Sequence, residues 1–207
     1  MAFLKGFLLG MILQLSIGPV CLAVLSASAT RGIREALQMT WGVALVDGMY
    51  ILASFLGMAA LFTITIVRTV IVIVGAAVLI YFGIRLLIAV TENNAEQARE
   101  RKSSFGYGIA LTLANPLTIV FWSSLFGSLI ASGKLKGAFN DFVYSLGCIT
   151  ATIFFLGLVA TGGAYLSRHL NKRRIRLLNI GVGLFLICFG LSMAFPLLRI
   201  PLVMSHF

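Results

Sequence analysis

The chain has 207 residues, 60% of them hydrophobic and only 11% charged. Soluble domains carry about 25% charged residues, so this composition excludes a soluble globular protein and makes the class an integral membrane protein. The net charge of +10 does not signal nucleic acid: the basic residues sit in short segments between apolar runs, the pattern of topology signals and of contact with anionic membrane lipids.

Six apolar runs reach the roughly 20 residues that a spanning helix needs: residues 3–29, 35–62, 67–90, 105–131, 139–166 and 177–198. The first begins near Lys5 and contains Ala27-Ser28-Ala29, which imitates a secretory signal. It is longer than the h-region of about 7–15 residues such a signal has, so a transmembrane helix is expected. Its centre carries Leu15-Ser16-Ile17-Gly18-Pro19. Proline lacks the N–H a helix interior needs and clashes with the turn before it, and in a membrane the freed backbone groups must face protein or a water-filled cavity. The pair is either a packing kink or part of a binding site. Gly6 and Gly10 form a GxxxG, suited to close packing within the chain or against a second copy in a homo-oligomer.

The second run holds Asp47, the only acidic residue well inside any run; Glu35 and Asp141 fall at run ends. An ionisable group at mid-membrane is costly unless it faces a cavity or a partner, which makes it a functional candidate. Asp47 suits a proton carrier or a counter-ion to a substrate ammonium; the plain alternative is a protonated carboxyl bonded to a neighbouring helix. Tyr50 lies one turn away on the same face. After the third run, the mixed-charge segment 91–104 reads as a linker with a brief surface helix. The fourth run contains Asn115-Pro116. Asn115 can bond the backbone that Pro116 frees, or a substrate, or cap its own chain; Ser16 reads the same way. The fifth run holds Tyr144 and Thr152, followed by a strongly basic loop over 167–176. Trp41 and Trp122 read as packing or interface aromatics. Cys21, Cys148 and Cys188 form no CxxC and imply neither disulfides nor a metal site. No P-loop or other cofactor signature is present, so no cofactor and no enzymatic activity are expected.

Lysine and arginine bias sets orientation. The loops after runs one, three and five lie on one side, and that side holds eleven of the sixteen basic residues, Arg31, Arg85, Arg99 and Lys172 among them. These loops are therefore expected in the cytoplasm and both termini outside. The halves also resemble one another. Gly18-Pro19 matches Asn115-Pro116, Gly42 matches Gly147, Gly83 matches Gly190, and Thr152 stands where Asp47 does. Three spans per half is an odd number, so the second half enters from the opposite face. The expected fold is all-α: one transmembrane domain over 1–207, six helices in two inverted-topology three-helix repeats (1–90 and 105–207, joined by 91–104), with helices one and four broken. Such paired breaks point to a transport site at the repeat interface.

Leu15-Ser16-Ile17-Gly18-Pro19, Asp47, Asn115-Pro116, Leu146-Gly147 and Leu178-Asn179-Ile180-Gly181-Val182-Gly183 together resemble the LysE/RhtB family of amino-acid exporters over nearly the whole chain. The resemblance implies a bacterial or archaeal inner-membrane exporter of amino acids driven by the proton motive force, with protons as the coupling partner. Many members carry Pro-Gly-Pro where this chain has Ile17-Gly18-Pro19. Exporters of lysine and arginine have an acidic residue where Phe121 stands, which favours a small or neutral substrate here. Redox-conduit relatives need a cysteine beside each breaking proline, and none lies near Pro116. The substrate-binding set expected is Ser16, Gly18, Pro19, Asp47, Tyr50, Asn115, Pro116, Tyr144 and Thr152, with Asp47 also carrying the proton. A cation exporter using Asp47 as ion ligand, or a non-transporting membrane subunit, are the competing readings.

Overall fold

The computed structural model describes residues 1–15, 18–57, 64–91, 104–132 and 137–203. The described residues form eight helices and no strand: α1 (Ala2–Gln14), α2 (Pro19–Arg31), α3 (Ile33–Phe55), α4 (Thr65–Thr91), α5 (Ser104–Leu113), α6 (Pro116–Ala131), α7 (Ala138–His169) and α8 (Lys172–Val203). Helices satisfy their own backbone, the condition for crossing lipid. Four of them, α3, α4, α7 and α8, are long and apolar enough to span. The other four form two bent pairs, α1 with α2 at 81° and α5 with α6 at 66°. Counting each pair as one span gives six.

The ends depart from the sequence expectation in two places. The second apolar run was expected to stay helical to residue 62, but α3 stops at Phe55, where Leu56 and Gly57 turn, Gly57 with φ +78°. Hydropathy does not register this stop; glycine adopts such a φ without steric cost. The basic segment 167–176 was expected as a loop, yet α7 runs to His169 and α8 starts at Lys172, leaving only Leu170 and Asn171 between them. Arginine and lysine are good helix formers, so charge ended the apolar run without ending the helix. The surface helix expected within 91–104 falls mostly on residues outside those described.

The packing is built on glycine. A Cβ on Gly6 of α1 would run into the Tyr144 carbonyl of α7, and one on Gly147 of α7 into the Phe3 carbonyl of α1. Likewise Gly108 of α5 sits against the Met39 carbonyl of α3, and Gly42 of α3 against the Phe105 carbonyl of α5. The Gly6/Gly10 motif is thus engaged inside the chain, on α7. Between α4 and α8, Gly83 meets the Gly183 carbonyl and Gly190 the Ala76 carbonyl. Backbones drawn this close gain the dispersion contacts that hold helices together in lipid. The core, with Val24, Met39, Leu111, Leu156 and Leu186 fully or almost fully buried, lies where α2, α3, α5, α7 and α8 meet. The outer surface exposes Leu4, Leu8 and Ile12 on α1 and Ile73, Val74 and Ile84 on α4, an apolar face fit for lipid.

Candidate functional site

The site grows out of the two helix breaks. In an unbroken helix the Leu117 N–H would donate to the Leu113 carbonyl four residues back. The bend between α5 and α6 separates them, and two side chains take over. The Leu117 N–H donates to Asn115 Oδ1 at 3.2 Å, and the Tyr50 hydroxyl of α3 donates to the Leu113 carbonyl, also at 3.2 Å. Asn115 is the N-cap of α6 and Pro116 its first residue, the position where a missing N–H costs nothing. Pro116 is buried, with its ring close to Gly75 of α4.

The other break is capped differently. Gly18 is the N-cap of α2 in extended conformation, with Pro19 following, and among the described residues no side chain caps the helix. The first-turn N–H groups of α2, at Val20 and Cys21, therefore lack the side-chain bond that Asn115 gives α6. Helix N-termini carry partial positive charge and present N–H donors to anions. Gly18, Pro19, Val20 and Cys21 from one break and Asn115 and Thr118 from the other line a single cavity of about 330 Å³. Its remaining wall is mostly apolar, with Leu13, Val43, Val120, Phe121 and Leu156.

Asp47 of α3 reaches the same cavity and is 2% exposed. Its Oδ2 accepts from the Thr152 hydroxyl of α7 at 3.0 Å. Its Oδ1 is buried and no described residue makes a close hydrogen bond to it; the Trp122 indole N–H is the second donor directed at this carboxyl. A buried carboxylate oxygen without a close donor costs free energy, and Asp47 lines a cavity that also receives the N-terminus of α2.

Of the residues expected from sequence, Gly18, Pro19, Asp47 and Asn115 line the cavity, and Thr152 stands behind Asp47, bonded to it. Tyr50 and Pro116 are at the second break but not on the cavity wall. Tyr144 lies in an aromatic cluster with Phe126, ring centroids 6.3 Å apart. Ser16 lies outside the described residues. Sequence reasoning passed over Gln14, which lines the cavity and donates from Nε2 to Thr152 Oγ1 at 2.6 Å. The available signal was its being the single amide side chain in the first apolar run. It also took Trp122 as packing; Trp122 does pack on Phe126, and it lines the cavity as well.

Apolar spans, two of them broken around one mostly apolar cavity that Asp47 reaches, define a multi-pass membrane protein of the translocator kind. The chain belongs to the LysE family: the model for the LysE type translocator matches residues 11–196. Among similar proteins, YcgF of Bacillus subtilis (strain 168), provisionally named an amino acid efflux protein, is 29% identical over 91% of this chain and 92% of its own. The leucine efflux protein of Salmonella typhimurium is 24% identical over 86% of this chain and 87% of its own. The chemotactic transduction protein ChpE of Pseudomonas aeruginosa is 28% identical, covering 89% and 93%. No solved structure matches the chain significantly.

Proposed function

We propose that this protein is a secondary active exporter of a small or neutral amino acid across the cytoplasmic membrane of a prokaryote, coupled to protons. One observation carries the reading: a helix N-terminus that no described side chain caps and a carboxylate with one oxygen lacking a close hydrogen bond line the same cavity. An amino acid is a zwitterion and needs both at once. The N–H groups at Val20 and Cys21 receive its carboxylate, and Asp47 receives its ammonium or, on the return step, the coupling proton. Half-helix ends bind substrate carboxylates this way in other transporters. A cavity of about 330 Å³ is at the small end for ligand sites, and its aliphatic wall suits a neutral side chain. Amino acid efflux and leucine efflux are the roles given in the names of two relatives.

The chain is read as one transmembrane domain of two inverted repeats, 1–90 and 105–207, joined by 91–104, with both termini outside. The glycine contacts support this reading by coming in pairs. Gly6 on Tyr144 corresponds to Gly108 on Met39, Phe3 on Gly147 to Phe105 on Gly42, and Gly83 on Gly183 to Gly190 on Ala76. Asp47 and Thr152, matching positions of the two halves, bond each other. The competing cation reading has little support, since Asp47 is the only carboxylate lining the cavity among the described residues and hard cations take several oxygen ligands. A non-transporting role has one observation in its favour, the chemotactic name of the Pseudomonas relative.

The test is efflux from proteoliposomes loaded with a labelled amino-acid mixture under an imposed pH gradient. Selective loss of one or a few neutral amino acids, faster with the gradient than without it, is the expected result. Retention of all of them would overturn the reading.

A further inference from the structure

Five threonines inside these helices bond their own chain. Thr30, Thr40, Thr112, Thr150 and Thr161 each donate to the carbonyl four residues back. Thr152 does not: its hydroxyl, fully buried, reaches across to Asp47 Oδ2 on another helix. What holds it there is Gln14. A hydroxyl has one proton and two lone pairs, and an amide nitrogen only donates. With Gln14 Nε2 seated on Thr152 Oγ1 at 2.6 Å, one lone pair is occupied and the single proton goes to Asp47.

We propose that Gln14 is a positioning residue for Asp47: through Thr152 it fixes Oδ2 as an acceptor and leaves Oδ1 as the carboxylate oxygen not committed to Thr152, the one that turns to the ammonium of the amino acid. The second half of this statement rests on the proposed transport function; the first does not. The arrangement also ties three segments together at the first break, because Gln14 is the last residue of α1, Thr152 belongs to α7 and Asp47 to α3. Without the Gln14 donor, the Thr152 hydroxyl is free to turn back to the carbonyl of its own helix, as those five threonines do, and Asp47 loses its fixed orientation.

The experiment reads Asp47 directly. Asp47 and Asp141 are the only aspartates of the chain, so isotope-labelled aspartate in an Asp141→Asn background gives an infrared carboxyl signal from Asp47 alone, in purified protein returned to lipid. Gln14→Met, which keeps length and removes the donor, should shift this band as Thr152→Val does, and Thr152→Ser, which keeps the hydroxyl, should leave it in place. Gln14→Leu serves as a second variant should Gln14→Met fail to fold. A band unmoved by loss of the Gln14 amide, while Thr152→Val moves it, would overturn the positioning role. Exchange of labelled leucine, measured on the same preparations, separates the two parts. A shifted band with a raised half-saturating leucine concentration and an unchanged maximal rate is the expected pair. A shifted band with wild-type leucine exchange in both Gln14→Met and Asp47→Asn leaves the positioning role intact and removes Asp47 as ammonium ligand.

Discussion

At the residue scale the weight falls on Asp47. Its isosteric replacement Asp47→Asn keeps size and hydrogen bonding to Thr152 and removes charge and titration. If Asp47 carries the coupling proton, the variant should lose pH-driven efflux and keep counterflow exchange of labelled for unlabelled substrate, because exchange moves no net proton. If Asp47 holds the substrate ammonium, both should fall. A hydrogen bond to a charged group is worth about 1.5–3 kcal/mol, so affinity should drop roughly tenfold or more. Normal pH-driven transport by a well-expressed Asp47→Asn protein would remove Asp47 from the mechanism. The candidacy of this residue was legible in the sequence, since a lone acid in an apolar run is conspicuous. Its surroundings were not: Gln14 and Thr152 are 138 residues apart, and nothing about either residue alone announces that the two meet.

At the scale of elements, the break between α5 and α6 is an exchange of one backbone bond for two side-chain bonds. Losing an N-cap side chain costs about 1 kcal/mol and losing a neutral hydrogen bond about 0.5–1.5 kcal/mol. Asn115→Ala and Tyr50→Phe should each lower the melting temperature of the purified protein. Because they serve the two ends of one missing bond, the double variant should fall short of, or exceed, the sum of the singles; strict additivity would show that the break is not a unit. Close packing gives a second prediction. A Cβ at Gly108 would strike the Met39 carbonyl, whereas one at Gly106 meets nothing within 4 Å. Overpacking costs about 1–3 kcal/mol, so Gly108→Val should be clearly destabilised, and Gly106→Ala, on the same helix, should melt like the unaltered protein. Both prolines were readable as breaks because proline's missing N–H is a property of the residue itself. The angles were not, since they depend on which neighbours accept the freed groups, and the stop of α3 at Phe55 was hidden because Leu56 is as apolar as the helix before it.

For the whole molecule, the distribution of lysine and arginine predicts that Lys172 and Arg99 face the cytoplasm and Phe207 the outside. Single cysteines placed at these positions in a cysteine-free background should react with an impermeant thiol reagent in whole cells only at position 207; reaction at position 172 would reverse the orientation. The length of the apolar runs made the spans legible, because a lipid core about 30 Å thick imposes a minimum on every one of them. Which helix lies on which was not legible, because α1 and α5 each pack on a helix of the other half of the chain, α7 and α3 respectively. That exchange bears on how the protein is made. The Tyr144 carbonyl that receives Gly6 is synthesised 138 residues after it. At about 5–20 residues per second, α1 waits roughly 7–28 s in the membrane for its partner, its glycine face uncovered, while α5 meets the already finished α3 as soon as it is inserted. Helix α1 is thus locked long after it is made, and the cavity at its end closes only once α7 has followed it into the membrane.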